Sequence, residues 1–221
     1  MDVKVEHSGA DFTVSFKAED ESIRHVRGYQ RDYSGVESIL WPSSLALCTY
    51  IFQLGDSFWQ GKYVVELGAG LALPSKCVAQ CGAKQVIITD REKVSRNQQW
   101  RNDILEKTEY GQKLDFMALE WGRFPKSIID AFGSNIVDVL IGSDLIYELE
   151  GTTALELQRN NNRLLATVVF IIRSKHSKFI IATHLRSAQA MLMWHSSLDN
   201  FKLKWKTDLS IHNIVIYTIN R

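Results

Sequence analysis

Val64-Val65-Glu66-Leu67-Gly68-Ala69-Gly70-Leu71 decides the reading of this chain. β-Branched residues run into an acidic residue, and the backbone then opens through two glycines before a helical pattern that continues to Cys81. This is strand, tight turn, helix. Without a Cβ, Gly68 and Gly70 allow a sharp bend and close approach to a ligand. A second short strand, Gln85-Val86-Ile87-Ile88-Thr89, ends in Asp90. An acidic residue about 20 residues beyond the glycines, at the end of the next strand, is the spacing of a carboxylate that takes ribose hydroxyls. The expectation is a nucleotide-containing cofactor, against the plainer reading of a tight strand-to-helix turn.

The third glycine of a dinucleotide fingerprint is missing; Leu73-Pro74-Ser75 occupies that region. Pro74 suits the first turn of a helix, where its absent N–H has no partner to lose. Without a pyrophosphate to cradle, S-adenosylmethionine fits better. Glu66-x-Gly68-x-Gly70 followed by Asp90 resembles motifs I and II of the seven-strand methyltransferases. That resemblance implies Glu66 near the methionine end, Gly68 and Gly70 lining the cofactor, and Asp90 on the ribose.

Three further stretches resemble the methyltransferase-like family 16, a group of protein lysine methyltransferases. They are Gly35…Trp41-Pro42…Leu47…Tyr50, the Leu-x-Trp-Gly run at 119–122, and Ser143-Asp144-x-x-Tyr147. They imply Trp41 at the mouth of the site, Trp121 beside the adenine, and Asp144 and Tyr147 as the catalytic pair beyond the fourth strand. An indole offers a purine a broad apolar face; the alternative for Trp121 is a plug at the top of the sheet. Asp144 would anchor an amine or guanidinium, and Tyr147 would shape its channel. Glu148 and Glu150 could grip a guanidinium or form a solvated acidic loop. Arg186-Ser187-Ala188 resembles a branch associated with histone H3 arginine methylation and with both nucleus and cytoplasm. The family pattern departs at Ala72 and Ser75, which replace glycines.

The 221 residues, 45% hydrophobic and 23% charged with a formal charge of +1, suit a soluble globular chain with a sizeable core. No global basic excess advertises nucleic acid. Direct nucleic-acid binding, membrane association and a metal site are not expected, and a monomer is. Cys48, Cys77 and Cys81 read as buried free thiols, which points to a reducing compartment, cytoplasmic and/or nuclear. Residues 1–32 read as an N-terminal β-hairpin extension decorating the domain, with the basic stretch Arg24 to Arg31 a solvated face. Residues 33–221 read as the S-adenosylmethionine-dependent methyltransferase domain. The fold class is α/β, a Rossmann-like seven-stranded sheet with helices on both faces and a reversed last strand.

The expected activity is methylation of a lysine or arginine side chain on a protein, with a histone or chaperone-type protein as candidate partners. A catalytically weak adaptor on the same fold and a small-molecule methyltransferase are the alternatives. His184, at the end of a strand, reads as structural, and Asn97 and Asn102 as surface solvation.

Overall fold

The structure, a computed structural model, describes residues 1–31, 38–106, 108–133, 136–146, 151–184, 186–211 and 213–221. Seven strands form the central sheet: β4 (Tyr63–Leu67), β5 (Gln85–Asp90), β6 (Leu114–Ala118), β7 (Val139–Ser143), β8 (Lys178–His184), β9 (Lys204–Ile211) and β10 (Ile214–Asn220). Their spatial order is β6-β5-β4-β7-β8-β10-β9. The first five pair in parallel, whereas β10 runs antiparallel to both β8 and β9. The order reverses direction between β4 and β7, where an open α/β sheet parts its crossovers and leaves a crevice for a ligand.

The central strands β4, β5, β7 and β8 are largely apolar because both faces are covered. Val64, Ile88 and Ile141 face one core, with Leu47 and Ile51 of α1 (Pro42–Leu54) and Val78 of α3 (Leu73–Gln80). Val65, Leu140 and Ile181 face the other, with Leu164 and Val168 of α7 (Ala154–Ile171) and Trp194 of α8 (Ala188–Asn200). α2 (Asp56–Trp59), α4 (Glu92–Ser95), α5 (Gln98–Glu106) and α6 (Lys126–Gly133) complete the α-helices among the described residues.

The amino-terminal region contains the expected hairpin, β1 (Asp2–Ser8) paired with β2 (Asp11–Lys17), and adds a third strand to it, β3 (Ile23–Tyr29), in an antiparallel sheet. It is no decoration, however: Phe12, Val14, Phe16 and Val26 are buried in the first core. Nor is the basic stretch a purely solvated face. Arg24 pairs with Asp56 at 2.9 Å and Arg31 with the buried Asp103 at 3.0 Å. From α3, the buried Lys76 donates to the Arg27 carbonyl at 2.8 Å.

Other differences are local. Asn97 is not simply solvated: its Oδ1 accepts from the backbone N–H groups of Gln99 and Trp100, opening α5. Phe201 caps α8, and β9 begins at Lys204. All three cysteines are buried and free.

Candidate active site

The turn after β4 is fixed from several sides. Gly68 and Gly70 adopt φ of 57° and 51°. A Cβ at Gly68 would lie 2.8 Å from Leu145 Cδ2, so strain and space both favour glycine there. The Ala69 N–H donates to the Thr89 carbonyl at 3.0 Å, and the Thr89 hydroxyl donates to the Glu66 carbonyl at 2.6 Å. From α5, Trp100 Nε1 donates to the Gly70 carbonyl at 2.6 Å.

Asp90 closes β5 directly against this turn. Its Oδ2 accepts from the Gly70 N–H at 3.0 Å and its Oδ1 from the Arg91 N–H at 2.8 Å. A carboxylate has about four acceptor positions. Backbone donors therefore hold the Asp90 side chain in place while leaving it further capacity to accept.

Glu66 lies behind the turn and is fully buried, off the cavity wall. Its Oε2 accepts from the Ser75 N–H at 3.1 Å and from the Ser75 hydroxyl, while Oε1 has no partner within the described protein. Burial raises its pKa to about 8, offset in part by the two Ser75 hydrogen bonds and reinforced by the nearby Asp90 charge. The two departures from the glycine pattern thus have clear local roles. Ala72 takes the left-handed conformation, φ 53°, that a glycine would take, and Ser75 supplies both partners of Glu66.

The turn forms one wall of a cavity of about 280 Å³ at the carboxyl ends of β4, β5 and β7. Leu119, Trp121 and Leu145 supply apolar surface, with Trp41 and Ser44 at the start of α1 on another side. Of the expected cofactor set, Trp41, Gly68, Gly70, Asp90 and Trp121 meet around one space, whereas Glu66 lies behind the wall, paired to Ser75. α7 adds Asn160, Asn161 and Arg163. Asn161 is only 2% exposed, and its Nδ2 has no partner within the described protein. In the sequence, the run from Arg159 to Arg163 reads as a polar break in a helix. α7 is instead continuous, and its polar residues face the cavity.

Asp144 sits just beyond β7 with φ 55°; its N–H donates to the Ala182 carbonyl at 2.8 Å. The carboxylate is not open. Its Oδ2 pairs with the Arg186 guanidinium, and its Oδ1 accepts from the His184 N–H at 3.4 Å. The guanidinium carbon of Arg186 lies 5.1 Å from the centre of the Trp41 ring. Sequence reasoning placed Asp144 and Trp41 at the rim but missed Arg186 as their partner; the resemblance of Arg186-Ser187-Ala188 to a family branch marked the residue without giving it this role. Tyr147, Glu148 and Glu150 lie outside the described residues, as does Gly35.

This sheet order, reversed last strand and cavity beside a glycine turn define a Rossmann-like methyltransferase fold. It is similar to the 16S rRNA methyltransferase RsmC of T. thermophilus in complex with AdoMet and guanosine, with TM-score 0.58 and 15% identity, covering 97% of this chain and 51% of that one. A family model described as lysine methyltransferase matches residues 22–189, and the chain belongs to this methyltransferase 16 family.

Among relatives, methyltransferase-like protein 23 of Dictyostelium discoideum is 28% identical over 199 residues, 82% of this chain and 72% of that protein. Histone-arginine methyltransferase METTL23 of Mus musculus is 29% identical over 173 residues, covering 75% of this chain and 58% of its own length. The aligned regions thus leave out 28–42% of these relatives' own length.

Proposed function

We propose that the chain is an S-adenosylmethionine-dependent methyltransferase acting on a lysine or arginine side chain of a protein. The observation that carries this reading is Asp90 locked by two backbone N–H groups beside the glycine turn, on a cavity with apolar walls. The described residues fit the cofactor. Gly68 and Gly70 line the cavity without side chains, Asp90 presents its carboxylate there for ribose hydroxyls, Leu119 and Trp121 can cover a purine, and Asn161 offers a buried donor with no partner among the described residues.

Bound S-adenosylmethionine supplies an electrophilic methyl: the substrate nitrogen forms the new N–C bond as the C–S bond breaks, the thioether leaves, and one proton is released. What the chain contributes is alignment and exclusion of water. Correct placement of the two reactants is worth about 7–11 kcal/mol in favourable cases. Asp144 and Trp41 form the charged and aromatic sides of the acceptor's entrance, and Asp144 orients the incoming cation. Tyr147 belongs to this proposal as the wall of the channel.

For the protein substrate we take a histone or a chaperone-type protein as first candidates, the histone supported by the name of one relative. That relative is named as a histone-arginine enzyme, and the matched family is described by lysine. We further infer a cytoplasmic and/or nuclear location, supported by three buried free thiols.

The test uses tritiated S-adenosylmethionine, cell extract supplemented with core histones, and Asp90→Ala as control. A labelled protein band lost in the control is expected. Failure of the folded wild-type protein to bind the cofactor in calorimetry would overturn the proposal and favour an adaptor.

A further inference from the structure

Arg186 presents a guanidinium at the mouth of the cavity. One of its nitrogens pairs with Asp144 Oδ2, and its carbon stands 5.1 Å from the centre of the Trp41 ring. All three residues line the same cavity. Asp144 and Trp41 come from chain segments about a hundred residues apart, one after β7 and one before α1. Their convergence on one guanidinium is a tertiary arrangement and not a local contact.

The chemistry of this pair is selective. A planar guanidinium donates along its edge to a carboxylate while its face stacks on an aromatic ring. An ammonium is a compact, strongly hydrated point charge without such a face. Asp144 is held for its task, with its N–H on the Ala182 carbonyl and its Oδ1 toward the His184 N–H. Arg186 is held less firmly. Its side chain keeps a third of its surface exposed, against 4% for Asp144. It immediately precedes Ser187, the N-cap of α8, so its side chain can turn outward while the helix start stays in place.

We propose that Arg186 is an internal occupant of the acceptor subsite, and that the side chain this protein methylates is an arginine. This inference rests on the methyltransferase reading above and narrows its substrate class. The substrate guanidinium exchanges with that of Arg186, taking over Asp144 and the Trp41 face as Arg186 moves to solvent. Arg186 thereby keeps the buried Asp144 carboxylate paired when no substrate is present, and competes with weak cations for the entrance.

The test titrates ethylguanidinium and, separately, n-butylammonium into the full chain saturated with S-adenosylhomocysteine, comparing wild type with Arg186→Ala. Binding is read by calorimetry and by indole fluorescence. Removing a competitor that holds both a charge-assisted hydrogen bond and an aromatic face should tighten ethylguanidinium binding by about tenfold. The alanine variant should also prefer ethylguanidinium to n-butylammonium by about fivefold or more. Equal affinity in wild type and variant, weaker binding in the variant, or a preference for n-butylammonium would each overturn the proposal. Arg186→Gln, which keeps a polar side chain of similar reach, replaces alanine if thermal melts show that the alanine variant is unfolded. Calorimetry with S-adenosylhomocysteine alone separates the two readings: its failure counts against the methyltransferase assignment, whereas the cation titrations, repeated without it, still report on the subsite.

Discussion

Glu66 shows how one residue serves a site from behind its wall. A fully buried carboxyl with one oxygen unpaired by the described protein favours its neutral form, and burial raises its pKa to about 8. Because the folded-state value is raised above the ordinary 4.5, the native protein binds the extra proton between those values. Stability is therefore highest below about pH 4.5 as far as this group is concerned, and is lost as pH rises through 8. The loss is on the order of a few kcal/mol. Urea unfolding at a series of pH values should show this decline in the wild type and not in Glu66→Gln, which is neutral throughout.

Ser75→Ala should cost about 1–3 kcal/mol in the same assay, since it removes the hydroxyl partner of a buried group. The sequence marked Ser75 only as a departure from a glycine pattern. Its role was hidden because the pairing spans a turn: Glu66 ends a strand, and the helix carrying Ser75 must fold back over it before the two meet.

At the scale of elements, the sequence located the inner parallel strands well because they are buried on both faces and read as largely apolar runs. Periodicity failed where an element's polar residues face an interior cavity. Asn160 to Arg163 look like a helix break, yet α7 runs unbroken from Ala154 to Ile171, opened by a reciprocal pairing of Thr153 and Glu156. Thr153→Ala should lower stability by about 1 kcal/mol. The amino-terminal strands were legible, but not their packing, since alternation tells which face is apolar and not what covers it. Phe16 is 1% exposed and packs against Phe52 of α1, with ring centres 5.0 Å apart. Phe16→Ala should therefore cost about 3–5 kcal/mol, the penalty of a core position. A dispensable appendage would lose far less, and guanidinium denaturation distinguishes the two. At the candidate site, the glycine turn and Asp90 could be found because strand ends bring them together within one βαβ unit. Arg186 could not, because its partners are supplied by β7 and by the segment before α1.

For the molecule as a whole, a second buried group gives the pH profile its shape. Lys76 is 3% exposed and joins α3 to the amino-terminal sheet; burial lowers its pKa from 10.5 to about 8. A lysine lowered in the folded state contributes in the opposite sense to Glu66. The unfolded chain binds the extra proton between about 8 and 10.5, so this group adds stability as pH rises through that window. Together the two groups predict a minimum near pH 8. Lys76→Met should remove the rise on its alkaline side while leaving the acid-side decline, which the same unfolding series would read.

The packing of the first three strands also sets a timetable for synthesis. Phe12, Val14 and Phe16 leave the ribosome early, but Trp100 and Ile104, which share their core, belong to a helix that ends at Glu106. At the usual rate of about 5–20 residues per second, the apolar face of that sheet waits roughly 4–15 s for its cover. A ribosome-bound chain stopped near residue 60 should be cleaved readily within residues 1–29 by a protease, and one carrying the full sequence on a long tether should resist. The nascent protein is thus most vulnerable at its oldest end, and a holdase acting during translation would protect that end first.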